Sequence, residues 1–300
     1  MSQSKPFLKW AGGKRQLLKV LEENLPQEVL DTKEIDLYIE PFVGGGALLF
    51  HLLSNFRIHK SIINDINPDL MITYLTIKKY PYDLIEELIK IENKYLQLTE
   101  ENRKDFYYSK LRDPFNELKI DFQKENKKKF LKKASLLIAL NRLCFNGLYR
   151  QNSKGEFNVP MGKYKNPKIL DKENILNVSK ALENTEILCG TYNDITLNEQ
   201  NGKKNLIYFD PPYRPLSKTS SFTKYSKEDF NDKDQKDLAD YFRKLDKKDF
   251  YILLSNSDTK DNFFEDLYKG FTIKKVETKR FINSNKDGRK SINELLIKNW

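Results

Sequence analysis

The chain of 300 residues has little of what metal centres and secreted scaffolds are made from. It carries two cysteines, Cys144 and Cys189, which form neither a disulfide framework nor a zinc spacing. Its two histidines, His51 and His59, have no cysteine or histidine partner at ligand spacing. No metal is therefore expected. No apolar run approaches the roughly 20 residues that cross a bilayer. Met1–Phe7 lacks a signal-peptide core. These absences lead us to expect a cytoplasmic protein with no membrane association. Internal repeats and low-complexity segments are also missing.

What is present is a core-forming composition with unevenly placed charge. Hydrophobic residues make up 39% and charged residues 32%, with a formal net charge of +10. Residues 103–168 hold 17 lysines and arginines against 6 acids, a net +11, which leaves −1 for the rest of the chain. A basic segment on a neutral body is the footprint expected of a nucleic-acid-binding protein, although a lysine-rich solvated face has the same composition.

The stretch Asp210-Pro211-Pro212-Tyr213 organises the reading. It follows the apolar run Leu206–Phe209, a buried strand, and its prolines end that strand because they cannot donate to a ladder. A carboxylate and an aromatic ring thus sit at the carboxyl end of a strand, where open α/β sheets bind ligands. Further strands are expected at Ile35–Glu40, Ser61–Asp65, Thr185–Cys189 and Phe250–Leu254. Phe271–Thr278 and Ser291–Lys298 read as a terminal antiparallel pair.

Between Ile35–Glu40 and a helix beginning at Ala47 lies Pro41-Phe42-Val43-Gly44-Gly45-Gly46. This is the strand, glycine turn and helix of a nucleotide-binding fold. It is a poor dinucleotide fingerprint, since Leu49 stands where the third glycine belongs and Glu40 would repel a pyrophosphate. A ligand with a cationic end fits better. Asp65 either takes ribose hydroxyls or caps the helix that follows Asn67-Pro68. Trp10-Ala11-Gly12-Gly13-Lys14 leads into another helical pattern. It departs from a phosphate-binding Walker loop, because no serine or threonine follows Lys14. Residues 70–145 are mostly helical in pattern. Asn141–Arg150 then leads into Ser153-Lys154-Gly155, which is hairpin chemistry. Arg214–Lys224 reads as a long polar loop suited to a lid, and Asn283–Lys290 as a basic turn.

Five segments in this order, Phe7–Lys14, Tyr38–Phe50, Asn64–Asp65, Asn141–Lys165 and Tyr208–Tyr213, resemble the Dam-like DNA adenine-N6 methyltransferases, the D12 class that includes modification enzymes of GATC-type restriction systems. The resemblance covers nearly the whole chain and is weakest over 83–130. It implies an α/β fold: a Rossmann-like methyltransferase sheet of seven strands, mostly parallel with a terminal antiparallel strand, plus a helical and β-hairpin DNA-recognition insertion. Residues 1–72 and 169–300 would form the catalytic domain and 73–168 the insertion. S-adenosylmethionine is the implied methyl donor. Trp10, Lys14, Glu40, Phe42, Gly44, Asp65 and Asp210 are the implied cofactor residues, with either Tyr192 or Asp194 as a further contact. Asp210, Pro211 and Tyr213 are the implied catalytic group, acting on an adenine flipped out of double-stranded DNA. Lys9, Asn146, Leu148, Arg150, Asn158 and Lys163 are the implied DNA-binding set, with GATC as the target. A monomer is expected. The competing readings are a non-catalytic basic DNA-binding protein and a methyltransferase for another exocyclic amine, such as cytosine N4 or an RNA adenine. The first leaves Gly44–Gly46, Asp65 and Asp210 without a role, and the second does not explain the hairpin.

Overall fold

Seven strands form one sheet in the order β3-β2-β1-β4-β5-β7-β6. They are β1 (Glu34–Glu40), β2 (Arg57–Asp65), β3 (Thr185–Cys189), β4 (Asn205–Phe209), β5 (Tyr251–Ser257), β6 (Thr272–Thr278) and β7 (Ile292–Lys298). The computed structural model describes residues 3–10, 12–197, 204–214, 230–259, 261–278 and 292–300. Beyond Arg214, the loop expected to act as a lid lies outside the described residues, as does the turn Asn283–Lys290.

The first five strands pair in parallel, while β7 runs antiparallel between β5 and β6. This is the mostly parallel Rossmann-like methyltransferase sheet that the sequence implies. Strand β4 shows why. Leu206 and Tyr208 join the core on one face, Ile207 and Phe209 the core on the other, and all four are buried. A strand covered on both faces reads as a continuous apolar run. β2 starts four residues before the expected Ser61. Arg57–Lys60 pair with β1 but alternate between exposed and half-buried, so their charges hide the strand.

The sheet reverses its direction of growth between β1 and β4. From β1 the chain proceeds outward through β2 to β3, then returns to β4 on the other side of β1. Such a switch point opens a crevice at the carboxyl ends of its two strands. Glu40 ends β1 and Asp210 follows β4.

Residues 66–184 contribute no strand to this sheet. Their longest helix, Lys127–Leu143, packs against Pro68–Lys79 and Pro81–Leu96. The hairpin after it departs from expectation. It makes two isolated bridges, Gln151 to Phe157 and Cys144 to Met161, with no regular strands. Side chains replace the missing ladder on its outer arm. Asn116 accepts from the Phe157 N–H and donates to its carbonyl, and the Tyr107 hydroxyl donates to the Val159 carbonyl. Backbone groups satisfied in this way have no need of a strand partner.

Candidate active site

The turn after β1 is shaped by Trp10. Gly46 has φ of 69°, and a Cβ there would stand 2.5 Å from the Tyr74 hydroxyl. A Cβ on Gly45 would stand 2.9 Å from the Trp10 Cβ, so the indole lies directly on the glycine backbone. The other face of the indole stacks on Tyr149, with centroids 4.6 Å apart. Asp65 closes the turn: one carboxylate oxygen accepts from the Gly44 N–H at 3.0 Å and the other from the Asn67 N–H at 2.9 Å. The helix cap itself is Asn67, whose side chain accepts from Asp69 and Leu70 with Pro68 in the first turn. That resolves the two readings of Asp65 in part: it organises the turn and does not cap the helix. Burial pushes its pKa up, and the two N–H groups oppose that rise.

Along the crevice stand three more carboxylates. Glu40 is 3% exposed and accepts from the Tyr38 hydroxyl at 2.8 Å. Burial drives its pKa well above the ordinary range, the Tyr38 hydrogen bond opposes this, and the charge of Asp210 adds to it. Asp210 lies 3.0 Å from the Lys14 ammonium. Its pKa is raised from 3.8 to about 6, chiefly by burial, with Lys14 holding it down. Glu294, from β7, lies 3.7 Å from the same ammonium. Lys14 also donates to the Tyr213 hydroxyl, which donates to Glu294 at 2.7 Å.

The backbone of the Asp-Pro-Pro-Tyr turn is tied down from behind. Gln235, fully buried, donates to the Pro212 carbonyl and accepts from Asn256 at the end of β5. Asn256 in turn accepts from the Arg214 N–H, and Ser257 donates to the Arg214 carbonyl. No described residue donates to the Pro211 carbonyl, which is left as an acceptor beside Asp210.

An aromatic wall continues from Phe42. Its ring lies 5.6 Å from Tyr192, which packs on Tyr241, and it meets Phe209 and Phe230 edge-on. Asp194 is engaged elsewhere, accepting from both the N–H and the hydroxyl of Thr191. Of the two residues left open by the sequence, Tyr192 shares this wall and Asp194 caps a turn.

On the rim, Asn141 fastens the N-terminal segment to the hairpin. It accepts from the Lys9 N–H and donates to the carbonyls of Lys9 and Gly147. Burial alternates along the next residues. Phe145, Asn146, Leu148 and Arg150 are exposed, while Gly147 and Tyr149 are buried. Arg150 donates through Nε to the Asn158 side chain at 2.9 Å. Lys163 is exposed as well. The lysine run is elsewhere. It starts the helix Lys127–Leu143, about 25 Å from the end that carries the rim at 1.5 Å per residue. Lys127 pairs with Asp83, and Lys133 is buried, bonded to Asp69 and to the carbonyls of Phe115 and Leu118. Lys128, Lys129 and Lys132 are left exposed.

Sequence reasoning passed over Glu294, Gln235, Asn256 and Phe145. The first three come to the site only through pairing of β5 and β7 and through packing of the helix Asp232–Asp246. Phe145 carried a signal, an aromatic in a basic segment, and is 54% exposed. Among the described residues, no group of side chains could hold a metal ion, and no helix is long and apolar enough to cross a membrane.

The sequence profile of D12 class N6 adenine-specific DNA methyltransferases matches residues 10–282. The chain is 54% identical to the Type II methyltransferase M.MjaIII of Methanocaldococcus jannaschii, covering 99% of both proteins. It is 40% identical to the Type II methyltransferase M1.LlaDCHI of Lactococcus lactis subsp. cremoris, over 99% of this chain and 95% of that one. With a DNA adenine methylase of Vibrio cholerae it shares 35% over 99% and 96%.

Proposed function

The chain belongs to the D12 class of N6 adenine-specific DNA methyltransferases, and on that premise we propose that it methylates the adenine of GATC in double-stranded DNA, using S-adenosylmethionine and a flipped-out target base. The observation that carries this reading is the crevice between β1 and β4. It lines up Glu40, Asp65, Asp210 and Glu294, of which Asp210 and Glu294 share the Lys14 ammonium, while Glu40 accepts from Tyr38 and Asp65 from the Gly44 and Asn67 N–H groups.

That excess of negative charge suits a donor with a cationic sulfur, and a nucleotide phosphate would be repelled by it. S-adenosylmethionine, when bound, supplies an electrophilic methyl group on that sulfur. Trp10, Lys14, Glu40, Phe42, Gly44, Asp65 and Asp210 would hold it, with Tyr192 extending the wall begun by Phe42.

Asp210, Pro211 and Tyr213 do the work on the base. The lone pair of the adenine N6 is delocalised into the ring, which makes it a weak nucleophile. The Asp210 carboxylate and the Pro211 carbonyl each accept one N6 hydrogen. This favours a pyramidal nitrogen and directs its lone pair at the methyl group. Positioning and fixed electrostatics carry the reaction, without a covalent enzyme intermediate: the nitrogen–methyl bond would form as the sulfur–methyl bond breaks, a neutral thioether would leave, and one N6 proton would be lost by way of Asp210 to solvent. The Tyr213 ring offers a stacking face to a base that cannot be reached inside a duplex.

The helical segment 73–168 serves as the recognition insertion, although its border runs through the helix Pro68–Lys79. Lys9, Leu148 and Arg150 read base edges, and Asn146, Asn158 and Lys163 hold the backbone or the hairpin. Two relatives are named Type II methyltransferases, which supports a modification role beside a restriction enzyme. We place the enzyme in the cytoplasm as a monomer. Labelled methyl transfer onto a panel of duplexes, each differing from GATC at one base pair, tests the target. Activity on another site with none on GATC overturns the target and leaves the reaction class standing.

A further inference from the structure

We propose that Glu294 is a positioning residue of the methyl-transfer site, fixing Tyr213 and Lys14 around Asp210. This rests on the reading that Asp210 and Tyr213 receive the target adenine.

Glu294 lies on the interior strand β7, opposite Ser257 on β5 and Val276 on β6, and is 9% exposed. A carboxylate so placed is unfavourable unless it is paired and hydrogen-bonded. Among the described residues, both of its side-chain partners belong to the site: the Tyr213 hydroxyl at 2.7 Å and the Lys14 ammonium at 3.7 Å. A phenol has one proton to give. Tyr213 gives it to Glu294, so its lone pairs face Lys14, which donates to it. Lys14 is thereby held between Tyr213 and Asp210.

The effect on Tyr213 is mechanical. Its backbone is pinned by the neighbouring Pro212 and Arg214 contacts with Gln235 and Asn256. Glu294 pins the opposite end of the side chain. A ring anchored at Cα and at the hydroxyl has its stacking face fixed before any base arrives, which is the positioning that a near-attack geometry demands.

The effect on Asp210 is electrostatic. The charged and titratable groups facing it are Lys14 from the N-terminal segment, Glu40 and Tyr38 from β1, Tyr208 from β4, Tyr213, and Glu294 from β7. Glu294 repels the Asp210 charge and shares its only ammonium partner within this group. Removing the charge of Glu294 leaves Lys14 to Asp210 alone, which keeps Asp210 ionised to lower pH.

The test is single-turnover methyl transfer as a function of pH, in wild type, Asp210→Ala, Glu294→Gln, Glu294→Ala and Tyr213→Phe. In wild type the rate should fall on the acid side near pH 6, as Asp210 is protonated. Glu294→Gln keeps an acceptor for Tyr213 and loses the charge, so its plateau should stay within about threefold of wild type while the acid limb moves to lower pH. Glu294→Ala should lower the plateau on the order of tenfold, the loss of a hydrogen bond to a charged group, with KM for DNA unchanged. Tyr213→Phe, which keeps the ring and cuts the same link, should reproduce that loss. Combined with Glu294→Ala it should lose no more. Coincident acid limbs in wild type and Glu294→Gln, or additive losses in the double variant, overturn the proposal. An inactive wild type or an active Asp210→Ala enzyme instead overturns the reading of the site on which it rests.

Discussion

In the crevice, Lys14, Asp210, Tyr213 and Glu294 come from three separate stretches of chain and bond one another, and Glu40, from a fourth, adds its charge to that of Asp210. On the rim, Phe145, Asn146, Leu148 and Arg150 come from six consecutive residues and point outward. The crevice residues are over-determined. Asp210 answers to β4, to Lys14 and, through Lys14, to β7. Among the described residues, Arg150 answers to Asn158 alone. The lesson is about what can change. A substitution in the crevice disturbs several partners at once, whereas the rim can be rewritten one side chain at a time with the scaffold left intact. On the proposed reading, chemistry sits in the first region and target choice in the second.

The largest expected effect breaks the crevice. Asp210→Ala should lower methyl transfer by at least about 10²–10³-fold, the range for losing one preorganised electrostatic contact, while DNA is still bound. Turnover near the wild-type rate, measured with labelled donor, would remove Asp210 from the mechanism. The same residue should set function against stability. Its folded pKa of about 6 exceeds the ordinary 3.8, so the folded chain binds the proton more tightly. This group therefore contributes stability below about pH 4 that is lost as pH rises towards 6, an amount of up to about 3 kcal/mol. Asp210→Asn removes the half-buried charge and leaves Lys14 to Glu294. It should melt no lower than wild type at pH 7.5 despite being inactive. A markedly lower Tm would show that the Lys14–Asp210 pair holds the fold together.

A smaller effect is expected at the glycine turn, where the proposed reading has the crevice meet the donor. Asp65→Ala should weaken S-adenosylmethionine binding by about 1–3 kcal/mol, because a charged hydrogen-bonding partner is lost and the Gly44 and Asn67 N–H groups lose their acceptor. Calorimetry without added metal measures it, and NAD should not compete. Unchanged affinity in the variant would confine Asp65 to the architecture of the turn.

The two regions also differ in how far the sequence discloses them. The parallel strands were legible because burial on both faces writes itself as uninterrupted apolar runs, as in Leu206–Phe209. Asp210, Glu40 and Gly44–Gly46 were legible because each stands at the end of such a run. Glu294 was not. It lies within Ser291–Lys298, which reads only as one of a terminal antiparallel pair and gives its acid no special place. Only the antiparallel insertion of β7 between β5 and β6 brings that acid beside Lys14. The lysine run misled in the other direction. Lys133 looks like part of a solvated basic face and is instead buried against Asp69 and Phe115. Local composition cannot tell a snorkelling lysine from one folded inward, since the difference lies in a partner 64 residues away. On the rim, alternation of exposed and buried residues through Phe145–Arg150 follows from the left-handed turn at Asn146 and Gly147. Asparagine followed by glycine is a pair that favours such a turn, so both residues hint at it.

The smallest effect tests the rim as a set of separable readers. Arg150→Ala should relax discrimination at one guanine by about 1–3 kcal/mol, the worth of a bidentate contact, and leave kcat on GATC comparatively intact. Asn158→Ala keeps the guanidinium but frees it from its one partner among the described residues. Its loss should fall at the same base pair and be smaller, about 0.5–1.5 kcal/mol, the net worth of an ordinary hydrogen bond. Because Asn158 acts through Arg150, the double variant should be no less selective than Arg150→Ala alone. The measurement is kcat/KM across duplexes substituted one base pair at a time, at fixed salt. A uniform drop over all duplexes, with a shallower salt dependence, would make Arg150 a phosphate contact. Additive losses would mean that Asn158 touches DNA in its own right. Either result would show that the exposed loop does not read its target one side chain at a time, and the contrast with the interlocked crevice would then fail.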